Sequence, residues 1–207
     1  MEEIHSMSYK ILMENWRKYL LVEAAMTAEN LMSNPDLYIS ISPSNENSIN
    51  VWYANADGTI RNPRPSGYIE IMLPDQAVGP CDGSYMVVGS RATDKWGPLL
   101  YDVAMEWATL NGNGLIADRD MISQEARTVW DYYLNSRSDV GNYQLDDLKN
   151  TLTPEIEIDN CDQYVASVGG KYDWVKNALS KRYTKQPATI NKLKELGRYI
   201  DKNETPA

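Results

Sequence analysis

Phenylalanine is absent from this chain, histidine occurs once, at His5, and cysteine twice, at Cys81 and Cys161. Each scarcity removes a class of chemistry. A lone histidine beside the chain start leaves no serine–histidine or cysteine–histidine pair and no histidine-ligated metal. Two cysteines this far apart form no zinc or thiol-redox motif. They allow one disulfide, and a reduced cytosolic chain is the simpler expectation. No run approaches the roughly 20 consecutive apolar residues of a membrane span. The opening residues, Met1-Glu2-Glu3-Ile4-His5, lack the basic-then-apolar layout of a signal peptide. Positive charge is in the minority. The 20 Lys and Arg face 29 Asp and Glu, for a net charge of -9 and a pI near 4.7. That balance argues against a general nucleic-acid-binding surface and predicts a cytoplasmic protein without membrane contact.

What is present is ordinary for a folded domain. The chain has 207 residues, 43% of them hydrophobic and 24% charged, enough for a real core. Six tryptophans and fourteen tyrosines stand in for the missing phenylalanine. The aromatic core must therefore carry polar tips that need partners.

Hydrophobic periodicity predicts a long amphipathic helix over 8–33, with apolar positions at Ile11, Leu12, Trp16, Tyr19, Leu20 and Met26. Asn34-Pro35 ends it. Strands are predicted at 37–42, 49–56 and 68–73, with a hairpin partner beginning at 59–61 after the Ala56-Asp57-Gly58 turn. The segment 84–90 contains Tyr85-Met86-Val87-Val88, apolar on both faces, as in a central strand covered on both sides. Gly97-Pro98 then opens a helix to about Leu110. Its polar residues Asp102, Glu106 and Thr109 fall on one stripe, so most of its circumference should be buried. A short strand at 115–117 follows. Ser123 caps a helix whose inner face is Ala126, Val129, Trp130, Tyr133 and Leu134. Two more helices are predicted over 172–182 and 190–201. This order implies an α/β fold, a mixed sheet with helices on both faces. It divides into a domain over 1–140 and a mostly helical C-terminal extension over 141–207, packed on the same domain.

A strand running into a loop and then a buried helix makes a natural anion site, because the first N–H groups of a helix are unpaired and its dipole favours negative charge. Val87-Val88-Gly89-Ser90-Arg91-Ala92, followed by Trp96-Gly97-Pro98-Leu99-Leu100-Tyr101-Asp102, resembles the central motif of GNAT acyltransferases. The likeness continues through Leu115–Ala117 and Ser123–Trp130, covers about a quarter of the chain, and is nearest to the divergent GNAT-like proteins carried by bacteriophages. The resemblance implies a GNAT-like mixed sheet and, for a phage protein, the host cytoplasm. It also implies that acetyl-CoA or another acyl-CoA is held at the loop after the fourth strand, through Val88, Arg91, Lys95, Trp96, Gly97 and Leu99. Gly97 matches the last glycine of that loop's usual pattern. Lys95 stands where an earlier glycine is usual, Ala92 where an arginine or glutamine is usual, and Arg91 one place early.

The resemblance further implies a splayed fourth strand whose N–H near Val88 polarises the thioester carbonyl. Trp130 stands where a tyrosine often acts as general acid, which passes that role to Tyr132 or Tyr133. Glu70 and Asp118 are the candidate general bases. No metal is expected. The implied activity moves an acyl group from acyl-CoA to an amine. An acidic protein favours a basic acceptor such as a polyamine, a lysine or an aminoglycoside. The alternative is a non-catalytic phage protein on the same scaffold, with a protein partner.

Overall fold

Alternation in the first half of the chain builds the sheet. The computed structural model describes residues 25–62, 64–74, 83–118, 122–145 and 175–202. Strands β1 (Tyr38–Asn45), β2 (Ser48–Ala54) and β3 (Gly67–Met72) point Ile39, Ile41, Ile49, Val51, Tyr53, Ile69 and Ile71 to one face, where they are buried. Strand β4 (Tyr85–Ala92) leads through a loop to helix α1 (Gly97–Asn111), strand β5 (Leu115–Ala117) and helix α2 (Gln124–Ser136). The remainder adds β6 (Val140–Gln144), β7 (Lys181–Lys185), helix α3 (Ala188–Glu195) and β8 (Tyr199–Asp201). Short 3-10 turns stand at Ala28–Ser33 and Ala178–Ser180.

The eight strands form one mixed sheet in the order β6-β7-β5-β4-β3-β2-β1-β8. From β1 to β4 neighbours run antiparallel. β5 lies parallel to β4, β8 lies parallel to β1, and β7 runs antiparallel to both β5 and β6. Thus the chain is α/β, as the sequence predicts. α1, α2, α3 and the Ala28–Ser33 turn share a single core with the inward strand residues. On the other face Met86, Ile116 and Leu145 make a separate small cluster. Among the described residues, helices therefore cover one face only.

Several expectations change. Most of the predicted helix over 8–33 lies outside the described residues, and its last turn is a 3-10 turn. The predicted helix over 172–182 falls partly outside them, and its end is replaced by β7. The predicted helix over 190–201 becomes α3 followed by β8. A boundary at 140 would fall on the first residue of β6. The region after it contributes three strands to the same sheet, so its described part is not mostly helical.

Helix α1 is buried along nearly its whole circumference, polar stripe included. Glu106 is fully buried and accepts hydrogen bonds from Lys185 Nζ, from Thr189 N at 2.9 Å and from Ile190 N at 2.7 Å. A carboxylate of α1 thus caps the start of α3, which has no side-chain cap of its own. Asp102 takes both Arg137 Nη1 and Nη2 at 3.0 Å, and Tyr133 OH donates to it at 2.8 Å.

Candidate functional site

The site begins with a register fault. β3 pairs Glu70 with Gly89 but Ile71 with Val87, so Val88 has no partner in that ladder. Such a bulge bends its strand and sharpens the twist. On the other side, β5 pairs with β4 only from Tyr85↔Leu115 to Val87↔Ala117, while β4 continues to Ala92. The two strands part beyond Val87. Val88 is 36% exposed rather than covered on both sides, contrary to the reading of its apolar neighbourhood.

The gap opens into a cleft with two connected portions. A narrow end of about 150 Å³ lies against Val87, Val88, Asp118, Ile122 and Trp130. A wide end of about 820 Å³ runs past Arg91 and Lys95 to Gly97 and Pro98, where α1 begins. Ser90, Tyr101, Ser123 and Ala126 line both portions. The Ser123 hydroxyl caps α2, accepting from Ala126 N at 3.2 Å, as its sequence position predicts.

The loop between β4 and α1 is held in place. Thr93 N donates to Ser66 O at 2.8 Å, and Ser66 N donates to Thr93 Oγ1 at 3.0 Å. Tyr53 OH donates to Trp96 O at 2.7 Å, with the two rings edge to face at 5.4 Å. Met26 N donates to Lys95 O at 3.0 Å. Lys95 has φ +69°, the left-handed backbone that glycine adopts freely. A Cβ at Gly97 would touch only Ala92 Cβ, at 3.8 Å. The protein's own packing therefore does not require glycine there, and the bare backbone keeps the cleft wall clear.

The sequence-derived residues divide. Val88, Arg91, Lys95 and Gly97 line the cleft together. Trp96 does not. It is buried, and its N–H, expected to meet an anion, donates to Thr93 O at 3.0 Å. The Leu99 side chain is in the core, and Leu99 is not among the lining residues. Asp118 lines the narrow end. Glu70 sits opposite Gly89 on the face away from Ile69 and Ile71 and is not among the lining residues.

Tyr132 and Tyr133 also stand outside the lining. The Arg137 guanidinium lies 5.7 Å from the Tyr132 ring centre. Tyr133 OH donates to Asp102 and, at 3.1 Å, to Pro98 O, so it ties α2 to the first turn of α1. Burial, reinforced by the Asp102 charge, pushes its phenol well above the ordinary range.

Sequence reasoning missed Tyr101. Its OH lies 3.0 Å from Ser90 Oγ, and its ring packs edge to face on Trp130 at 5.8 Å. Burial raises its phenol, and the Ser90 contact partly opposes that rise. A signal was available, because helical side chains lean toward the helix N-terminus and a tyrosine one turn into α1 overhangs the loop.

The fold and this cleft define a mixed α/β protein with a ligand-sized opening where two central strands part. No family model, no curated protein and no solved structure matches the chain. Among the described residues, no group of three potential ligands could hold a metal ion, and no helix is long and apolar enough to cross a membrane. His5, Cys81 and Cys161 lie outside the described residues.

Proposed function

We propose that the protein is a GNAT-like acyltransferase that moves an acyl group from acyl-CoA to an amine. The observation that carries this reading is the parting of β4 and β5 at the bulged Val88, which opens a cleft leading to the start of α1. The donor set suits a nucleotide thioester. The Gly97 and Leu99 N–H groups belong to a helix first turn, where they lack intrahelical partners and favour phosphate oxygens. Arg91 and Lys95 add positive charge beside them. Lys95 stands where the family has glycine and keeps a glycine-like backbone, which supports the same loop path.

In this reading acyl-CoA supplies the activated carbonyl as the reaction's second substrate. Val88 N–H polarises that carbonyl, so the gain comes from placement and from stabilising the developing oxyanion. The amine forms a C–N bond as the C–S bond breaks. The ammonium loses a proton and the sulfur takes one up. Tyr101, the tyrosine that lines both portions of the cleft, replaces Tyr132 and Tyr133 as the donor toward sulfur. Asp118, at the narrow end, is better placed than Glu70 to receive the amine's proton.

A sealed cleft beside Gly97 would favour the competing non-catalytic reading; among the described residues that space is open. Calorimetric titration of the purified protein with acetyl-CoA tests the proposal. It expects heat of binding and a raised unfolding temperature, both weakened in Arg91→Ala. No heat and no thermal shift at millimolar acetyl-CoA would overturn it.

A further inference from the structure

Resting on the acyltransferase reading, we propose that two buried tyrosines, Tyr53 and Tyr133, are positioning residues that hold the first turn of α1 aimed at the phosphates of the donor. They come from different elements, β2 and α2, and both are 0% exposed. Tyr53 OH donates to Trp96 O at 2.7 Å, and Tyr133 OH donates to Pro98 O at 3.1 Å. The two carbonyls belong to the residues on either side of Gly97. Gly97 and Pro98 themselves line the wide end of the cleft.

A trans peptide is planar, with its C=O and N–H pointing in opposite directions. Holding Trp96 O toward the Tyr53 hydroxyl therefore turns Gly97 N–H away from that hydroxyl and fixes its direction. Holding Pro98 O fixes the plane one step further on, so the turn cannot rotate as a unit. α1 does not do this for itself. Its N-cap residue, Trp96, makes no side-chain cap. Pro98 brings no N–H, which leaves the turn few donors and makes their aim matter.

The two hydroxyls are themselves fixed. The Tyr53 ring packs edge to face on Trp96 at 5.4 Å. Tyr133 OH also reaches Asp102 Oδ1 at 2.8 Å, and that carboxylate takes Arg137 Nη1 and Nη2 at 3.0 Å. Burial raises both phenols, so both keep their protons and donate.

Tyr53→Phe and Tyr133→Phe remove one hydroxyl each and keep the rings. Acetyl-CoA and S-acetylpantetheine, a thioester without phosphates, are the two donors that test the proposal, by calorimetry and steady-state rates. Each variant is expected to bind acetyl-CoA about ten-fold more weakly than the wild type. Its kcat at saturating acetyl-CoA should be retained, and so should its kcat/KM for S-acetylpantetheine. Two variants on separate elements keep the test decisive if one fails to fold. A lower unfolding temperature with unchanged acetyl-CoA affinity would overturn the positioning role and leave the acyltransferase reading standing. So would an equal loss with both donors, the mark of a general loosening of the cleft. A fall in kcat with unchanged binding would overturn it too, by placing the hydroxyl in proton transfer. Absence of binding and turnover with either donor in the wild type would remove the acyltransferase reading, and the positioning role with it.

Discussion

At Lys95 a charged side chain occupies a backbone conformation that suits glycine. The left-handed region costs an L residue about 1–2 kcal/mol, partly offset because glycine has more freedom to lose on folding. Lys95→Gly should therefore unfold at a higher temperature than Lys95→Ala, which keeps the backbone penalty and loses the same charge. Equal midpoints in a thermal melt would show that the loop relaxes instead. Both variants should bind acetyl-CoA less tightly than the wild type, since both lack the ammonium. Tyr101 makes a sharper case. Tyr101→Phe keeps the ring packing on Trp130 and removes only the hydroxyl. Turnover should fall about 100-fold, with acetyl-CoA binding by calorimetry unchanged. A variant with full turnover would take Tyr101 out of the reaction. The sequence could name Arg91, Lys95 and Gly97 because a loop before a helix confines them to one neighbourhood. It could not separate Tyr101 from Tyr132 and Tyr133. Three tyrosines on amphipathic helices look alike until the helices are docked.

Among the elements, α1 and α3 are joined by a buried charge. Glu106 accepts two N–H groups of α3 and the ammonium of Lys185. Glu106→Ala removes a helix cap and leaves a buried cation without its nearest carboxylate, a loss of about 3–5 kcal/mol by urea unfolding. Adding Lys185→Met should recover much of it, since a buried ion pair replaced by apolar groups is often near neutral. A double variant as unstable as the single one would place the cost in the cap alone. The same lysine explains why β7 was illegible. Its inward residues are Lys181, Tyr183 and Lys185, so the period-2 pattern is present but written in basic residues. Lys181 Nζ reaches Val175 O at 2.8 Å and Gln144 Oε1, and Lys185 Nζ reaches Glu106. Gln144 and Glu106 come from distant segments that a local reading cannot see. β4 misled for a related reason. Its apolar run predicted cover on both faces, and the bulge turned Val88 into the cleft.

For the molecule as a whole, the absence of phenylalanine sets an upper pH limit. Tyr53, Tyr101, Tyr133 and Tyr183 are buried core residues whose phenols burial raises above the ordinary value. A group with a raised folded pKa contributes stability that is complete below its unfolded pKa, about 10 for tyrosine, and is lost as pH rises beyond it. The unfolding temperature should hold to about pH 10 and then fall steeply. The tyrosinate absorbance of these residues should appear only with unfolding. A gradual titration in the folded protein would contradict their burial. The helix, strand, helix order around the cleft was legible because those elements are local and strongly patterned. The eight-strand order was not, since it depends on pairings between remote segments. β7 is inserted between β5 and β6, and β8 pairs with β1 across Ile39↔Tyr199. A chain leaving the ribosome therefore has β5 without its outer neighbour and β1 with a bare edge until residues 181–201 emerge. Non-local pairing of this kind is slow and exposes strand edges to other chains. The sheet closes from both flanks only once residues 181–201 have emerged, so a stalled nascent chain ending before β7 should be a substrate for chaperones rather than a smaller folded domain.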